Sequence, residues 1–216
     1  NGDVSLRDFL SECHAMEAVR HPNIVMFLGV TLPYPGCHIQ PQLQHRARVL
    51  PARLALELPA EQGQQHFLED RRRFAIEIAQ GVHYLHSCSP PILHRDLKSL
   101  NIFLDASLRI KIGDFGWTKT LEEYMTNKIG TYQWMAPEVI GSKPYSEKAD
   151  VFSYSIILWE IASREPPYRN INGTKVSEEV LNRELRPTLP PKCPEPFSKL
   201  MRRCWESEPS KRPSFR

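Results

Sequence analysis

The segment from Val151 to Ile161 most constrains how this chain folds, because nearly every position in it is apolar. A helix that is apolar on all sides must lie inside a domain with other elements packed around it. Glu160 interrupts the apolar run well before the ~20 residues that a membrane span requires. The sequence therefore predicts a buried central helix and no membrane span.

Two amphipathic segments are suited to enclose that helix. One extends from about Glu69 to His86, with acidic residues in its first turn, and the other from Phe197 to Trp205. Each has apolar residues at helical spacing. A third segment of this kind, Leu6 to His21, ends at Pro22, because proline disfavours helical backbone in the residue before it. All three segments are predicted helices.

Strands are predicted in two regions. Ile24 to Val30 is a short apolar run that ends in a cluster of turn residues, which favours a strand. Ile102–Leu104 and Arg109–Ile112 are separated by the polar turn residues 105–107. This second spacing predicts a hairpin.

Composition and charge narrow the class of protein. Apolar residues make up 41% of the 216 residues and charged residues 25%, as in an ordinary globular domain. The net charge of +3 is too small to impose nucleic-acid binding on the surface. The basic run 71–73 is interpreted as a solvated helix face. Five cysteines without metal-ligand spacing, and no signal peptide, favour a reducing, cytoplasmic location.

Three short motifs follow one another along the chain. Residues 94–101 read His-Arg-Asp-Leu-Lys-Ser-Leu-Asn, residues 114–116 read Asp-Phe-Gly and residues 136–138 read Ala-Pro-Glu. The four fixed residues of the first motif alone would arise by chance in roughly one chain per thousand of this length. In this order the motifs resemble those of a eukaryotic-type protein kinase catalytic domain.

The resemblance implies an α+β, bilobal protein-kinase-like fold that is present in part. Residues 1–66 would be the remnant of a truncated, β-rich N-lobe, and residues 67–216 a mainly α-helical C-lobe. The implied activity is transfer of the ATP γ-phosphate to serine or threonine hydroxyls of protein substrates. The strings 111–116 and 134–140 are closest to the tyrosine-kinase-like group, which includes the Raf-like and mixed-lineage kinases.

The resemblance also assigns roles to individual residues. Asp96 would be the base that accepts the substrate hydroxyl proton, and Lys98 would contact the transferred phosphate. Asn101 and Asp114 would hold Mg²⁺ through hard oxygen ligands. Phe103 would form the floor under the adenine ring of ATP.

Further residues match supporting features of the family. Glu12 would pair with a phosphate-binding lysine, and Glu138 with Arg212 in a buried ion pair. Arg95 would receive a phosphate added to the activation segment by an upstream kinase, with Thr126 as the first candidate. An apolar column anchored at the aspartate of position 150 would complete the active form; its members would be Met16, Phe27, His94 and Phe115.

The chain departs from the family pattern in two places. No Gly-x-Gly-x-x-Gly motif occurs in the 216 residues, and the lysine that Glu12 would hold is also missing. Residues 36–66 are rich in glutamine and proline; they form either a strand leading to a hinge at residues 57–60 or a shifted-frame stretch. Two functional classes remain: a serine/threonine kinase present as a fragment, or a pseudokinase that serves as a scaffold. The presence of all four catalytic-type residues favours the first.

These 216 residues, taken alone, are expected to bind Mg-ATP poorly, because they contain neither the glycine-rich phosphate-binding motif nor the phosphate-binding lysine. Each lost charged contact costs ~1.5 to 3 kcal/mol, so affinity should be about two or more orders of magnitude below that of a complete kinase domain. Calorimetric titration of the chain with Mg-ATP measures this affinity. Micromolar binding together with phosphorylation of a basic peptide would contradict the expectation.

Overall fold

The computed structural model describes residues 17–27, 30–31, 42–43, 50–51, 63–113 and 132–216. In this part of the chain the structure is mainly helical, with short strands. The helices are α1 (Gly63–Ser87), α2 (Pro137–Ile140), α3 (Lys148–Ser163), α4 (Gly173–Arg183) and α5 (Glu195–Cys204). Single turns of 3₁₀ helix lie at Ser99–Asn101, Tyr132–Trp134 and Pro209–Lys211.

Helix α3 is the centre of the described core. Every residue from Ala149 to Ile161 is buried, which confirms the prediction of a central helix. Helices α1 and α5 pack against α3, as their apolar stripes predict. The turn at Tyr132–Trp134 packs against α3 as well. None of the described helices is long and apolar enough to cross a bilayer.

Helix α1 corrects two predictions. It begins at Gly63, before the predicted start at Glu69, so its first turn contains no acidic residue. The basic run 71–73 is not wholly solvated: Arg71 donates to Ala162 O at 3.2 Å, and Arg73 to Leu108 O at 2.8 Å. Only the middle arginine of the run is exposed. Long side chains of this kind cover apolar surface while their charged ends find carbonyl partners.

The predicted hairpin is confirmed. Strand β4 (Ile102–Leu104) pairs antiparallel with β5 (Ile110–Ile112), and β3 (Leu50–Pro51) pairs antiparallel with the other edge of β4. Glu77 of α1 accepts a hydrogen bond from the main-chain nitrogen of Ile110 at 2.8 Å. The hairpin is therefore attached directly to α1.

The strand predicted at Ile24–Val30 is largely wrong. Ile24 makes one parallel bridge with Ile112, and residues 25–27 are not in a strand. Of the described residues in this segment, Val30 belongs to a strand, β1 (Val30–Thr31), which pairs antiparallel with β2 (Gln42–Leu43). Ile112 exchanges main-chain hydrogen bonds with Asn23 O and Val25 N, which makes the single bridge. The ladder does not extend to Ile110, because Ile110 O accepts from the Asn23 side chain at 3.2 Å instead of from a main-chain nitrogen. These bonds fix residues 21–25 against the edge of β5.

A glycine allows this segment to approach α1. A Cβ at Gly81 would lie 2.6 Å from Ile112 Cδ1 and 3.2 Å from Asn23 O. Any side chain there would separate α1 from both β5 and residue 23. Helix α4 was not predicted. Of the predicted helix 6–21, residues 17 and 18 are helical and residues 19–21 are not, so the helix ends earlier than predicted. Its other residues lie outside the described part of the chain, as do residues 54–58, the proposed strand before the hinge.

The predicted ion pair between Glu138 and Arg212 is present and buried. Arg212 Nη1 lies 2.6 Å from Glu138 Oε1, and Nη2 lies 2.8 Å from Oε2. Arg212 is only 1% exposed, and its Nε donates to Glu206 O at 2.7 Å. The pair joins α2 to the end of the chain by a two-point contact that only a guanidinium can make.

Replacing Arg212 with methionine is expected to destabilise the chain by about 3 to 5 kcal/mol, because Glu138 would remain buried without its partner. Urea unfolding followed by circular dichroism measures the change. The matched control is Arg183→Met, which removes an exposed ion pair with Glu179 and should change stability by no more than about 1 kcal/mol. An equal decrease in the free energy of unfolding in the two variants would show that the buried ion pair stabilises the chain no more than the exposed one.

Candidate active site

The loop between α1 and β4 brings three predicted site residues together. Lys98 Nζ lies 2.7 Å from Asp96 Oδ2. Asn101 Nδ2 donates to Asp96 O at 2.8 Å and to Asp96 Oδ2 at 3.3 Å. Asp96 and Asn101 are each 4% exposed. The aspartate carboxylate is therefore held in one orientation by charge-assisted hydrogen bonds.

A short turn of 3₁₀ helix produces this arrangement. The main-chain nitrogen of Asn101 donates to Lys98 O at 2.9 Å, which turns the chain back on itself. The Asn101 side chain thereby meets the main chain of Asp96, five positions earlier. Ile102 then begins β4, so the loop is fixed at this end by the sheet.

The other end of the loop is fixed by Asp150 of α3. Its Oδ2 accepts from His94 N at 2.9 Å, and its Oδ1 accepts from Arg95 N at 3.0 Å. His86 of α1 donates to the same carboxylate from Nε2 at 2.8 Å. Arg95 has a φ of 67°, in the left-handed region that non-glycine residues rarely adopt. The two bonds to Asp150 hold the backbone in this strained conformation.

The end of β5 is connected to the same loop. Gly113 N donates to Asn101 O at 3.0 Å, and His94 Nε2 lies 3.2 Å from Gly113 O. A Cβ at Gly113 would lie 2.9 Å from Phe103 Cε2, so glycine lets the Phe103 ring lie against the end of the strand. The chain thus leaves β5 beside Asn101 and Phe103.

Several predicted residues lie outside the described part of the chain. Of the predicted site residues, Asp96, Lys98, Asn101 and Phe103 are described. The residues and segments outside it are Glu12, Met16, Asp114, Phe115, Thr126 and the hinge at 57–60. Of the predicted apolar column, Phe27 and His94 are buried, as expected.

A small cleft lies beside Asp96. Arg95 and Asp96 line it together with Trp134, Met135 and Ala136. Ser153 of α3 also lines the cleft and donates to Trp134 O at 2.8 Å. The segment that leads into α2, residues 134–136, therefore forms a wall of the cleft next to Asp96.

Sequence reasoning missed one polar residue in this region. Glu160 was interpreted only as the end of an apolar run, yet it is 3% exposed and hydrogen-bonded to both Ser99 and Trp134. The sequence does contain a signal for this role, because Glu160 is a carboxylate in a segment predicted to be a helix buried on all sides. A carboxylate there requires hydrogen-bond partners.

Comparison with known proteins identifies the family of this chain. The family model for protein tyrosine and serine/threonine kinases matches residues 2–216. The chain belongs to this family, and its named relatives place it among the serine/threonine protein kinases.

Three relatives illustrate the similarity. The chain is 37% identical over 215 residues to the probable serine/threonine-protein kinase drkC of Dictyostelium discoideum, covering 97% of this chain and 28% of drkC. It is 36% identical over 215 residues to the serine/threonine-protein kinase CTR1 of Arabidopsis thaliana, covering 97% and 26%. It is 35% identical over 212 residues to the serine/threonine-protein kinase STY17 of Arabidopsis thaliana, covering 97% and 36%. The chain spans little more than a third of these relatives at most.

Replacing Asp150 with asparagine is expected to loosen residues 94 and 95, because an amide offers one acceptor oxygen where the carboxylate offers two. The expected cost is about 1.5 to 3 kcal/mol, with faster amide exchange at His94 and Arg95. Hydrogen exchange and thermal unfolding measure these effects.

The matched control is Asp105→Asn. Asp105 also accepts two main-chain hydrogen bonds, from Ser107 and Arg109, but in an exposed turn. Its replacement should leave exchange at residues 94 and 95 unchanged. Unchanged exchange in both variants would contradict the anchoring role of Asp150.

Proposed function

We propose that this chain carries the catalytic part of an ATP-dependent protein serine/threonine kinase that acts in intracellular signalling. The observation that carries the proposal is the contact among Asp96, Lys98 and Asn101 in a buried loop. Phosphoryl transfer depends on positioning and charge neutralisation more than on covalent chemistry. A rigid loop that presents one carboxylate, one ammonium and one amide is suited to that task.

We assign the proton transfer to Asp96. The substrate hydroxyl oxygen forms a bond to the γ-phosphorus of ATP while the bond between that phosphorus and the bridging oxygen breaks, which releases ADP. The hydroxyl proton passes to the Asp96 carboxylate. General-base assistance of this kind requires a fixed carboxylate close to the acceptor hydroxyl. The hydrogen bonds from Asn101 supply this fixed geometry.

Lys98 is proposed to neutralise the transferred phosphate. Its Nζ lies 2.7 Å from Asp96 Oδ2, so its positive charge is next to the proposed site of proton transfer. The side chain is 14% exposed, which reduces screening of that charge by water. An ammonium on a flexible stem is suited to following a phosphate as it moves between donor and acceptor.

The residues present fit a magnesium site in part. Asn101 uses its amide nitrogen to bond Asp96, which leaves its side-chain oxygen as the hard ligand that Mg²⁺ prefers. Asp114 is the second proposed ligand. Bound Mg²⁺ neutralises phosphate charge in this class of reaction. The chain's own contribution is to hold the Asn101 side chain in place.

Two residues are proposed for the nucleotide. Phe103 lies on β4, half-buried beside Gly113, and is proposed as the floor under the adenine ring. Glu12 is proposed to pair with a phosphate-binding lysine.

The partners proposed with these sites are ATP, protein substrates with serine or threonine, and an upstream kinase that phosphorylates Thr126.

The proposal extends to architecture. The described helices would form the larger lobe of a bilobal kinase fold, residues 67–216, and residues 1–66 would belong to the smaller lobe. The strings at 111–116 and 134–140 favour a place in the tyrosine-kinase-like group, near the Raf-like kinases. We propose that the protein acts in the cytoplasm.

Replacing Asp96 with asparagine in the full-length protein is expected to lower kcat by ~10²- to 10⁴-fold, because the amide cannot accept the hydroxyl proton. Transfer of radiolabelled phosphate from ATP to a peptide measures kcat, and circular dichroism checks the fold. The matched control is Asp70→Asn, which alters a partly exposed aspartate on α1 and should leave kcat unchanged.

Near-normal turnover in Asp96→Asn would show that another group is the base. A folded wild-type protein that binds ATP but transfers no phosphate would support the scaffold interpretation instead.

A further inference from the structure

We infer that Glu160 is a positioning residue that ties the catalytic loop, residues 94–101, to the cleft wall, residues 134–136, and this inference rests on the proposed kinase function. Glu160 Oε1 accepts from Ser99 Oγ at 2.9 Å. Its Oε2 accepts from Trp134 Nε1 at 2.8 Å. One carboxylate thus contacts both segments, one oxygen to each.

Because Glu160 is buried, the geometry of its two hydrogen bonds is narrowly restricted. The residue lies on α3, the most enclosed helix of the described core, and is 3% exposed. A carboxylate so far from water is tolerated only where its oxygens receive hydrogen bonds. Small movements of either donor are therefore resisted, because each would weaken a hydrogen bond to this buried carboxylate.

The two donors lie where such movement would affect the reaction. Ser99 is the residue after Lys98 and begins the 3₁₀ turn that places Asn101 against Asp96. Trp134 lines the cleft beside Asp96. A displacement of Ser99 would change the geometry of the catalytic loop, and a displacement of Trp134 would change the surface beside Asp96.

Other α3 residues hold each segment separately. Asp150 binds the main chain of residues 94 and 95, and Ser153 donates to Trp134 O. These bonds fix each segment to the helix. Glu160 adds one bond to each segment from a single carboxylate, so the two segments are also joined through one shared group.

The chemistry of the two donors makes a conservative variant informative. In Glu160→Gln the remaining oxygen can accept from the indole N–H of Trp134, which can only donate. The new amide can donate to Ser99 Oγ, because a hydroxyl can act as donor or acceptor. Both hydrogen bonds can therefore persist without the negative charge, whereas Glu160→Met removes both.

The experiment measures kcat and the peptide KM of the full-length protein for five variants. Glu160→Met is expected to lower kcat and raise KM, each by about tenfold or more, since small misplacements of reacting groups cost up to ~10²-fold. Glu160→Gln should keep both values within about threefold of wild type. Ser99→Ala should act mainly on kcat and Trp134→Phe mainly on KM, because each removes one of the two bonds.

The control for general loss of stability is Tyr154→Phe. Tyr154 lies on the same helix and donates a buried hydrogen bond to Ala75 O at 2.9 Å, away from both segments. Its replacement should lower the melting temperature with both kinetic constants unchanged. Kinetic constants within twofold of wild type in folded Glu160→Met, or a loss in Glu160→Gln as large as that in Glu160→Met, would overturn the inference.

Amide exchange separates failure of this inference from failure of the proposed function. If the wild-type protein transfers no phosphate, the proposed function fails, but exchange at residues 97–101 and 133–135 still reports on the coupling. Faster exchange in both segments in Glu160→Met, with slow exchange retained in Tyr154→Phe, supports the positioning role. If Glu160→Met does not fold, amide exchange in Ser99→Ala and Trp134→Phe tests whether the two segments are coupled.

Faster exchange in the segment that does not carry the substitution supports the coupling. Faster exchange confined to the segment that carries it contradicts the coupling.

Discussion

The carboxylate of Asp150 is the group on which the geometry of the catalytic loop most depends. It accepts hydrogen bonds from two consecutive main-chain nitrogens, those of His94 and Arg95, and from the His86 side chain. Arg95 has a left-handed backbone conformation that would relax if these bonds were absent. Asp96 follows directly, so the bonds between Asp150 and the preceding main chain help to set its position.

Helix α3 combines two roles that sequence patterns describe separately. Its apolar residues make it the core around which α1 and α5 pack. Its buried polar residues, Asp150, Ser153 and Glu160, hold the loop and the cleft wall. Because these groups are far from water, unpaired donors and acceptors are costly, and each contact therefore has a narrow range of geometry. A rigid support of this kind favours a reaction that depends on positioning.

The sequence predicted the parts of the fold that have strong periodicity. The central helix, the two helices packed against it and the β4–β5 hairpin follow from apolar spacing and turn residues. The strand at 24–30 failed because hydrogen bonding from Asn23 to β5 is a tertiary effect that a short apolar run does not reveal. The start of α1 was misplaced because residues 63–68 lack a clear apolar stripe.

The sequence predicted which residues form the site, but it did not predict which other residues hold them in place. Motif spacing singled out Asp96, Lys98 and Asn101, which the structure brings together. It did not reveal Glu160, since the partners Ser99 and Trp134 are distant from it in sequence and are brought close only by packing. Asp114 and Glu12 lie outside the described residues and stay predictions.

Phosphoamino-acid analysis of a protein substrate, after incubation with the full-length protein, Mg²⁺ and radiolabelled ATP, identifies the residue type that receives the phosphate. Label is expected on serine or threonine, because the relatives that this chain matches are named serine/threonine-protein kinases. Label on tyrosine alone would contradict the assigned substrate class. The absence of label from a folded protein would contradict the claim that this loop performs phosphoryl transfer.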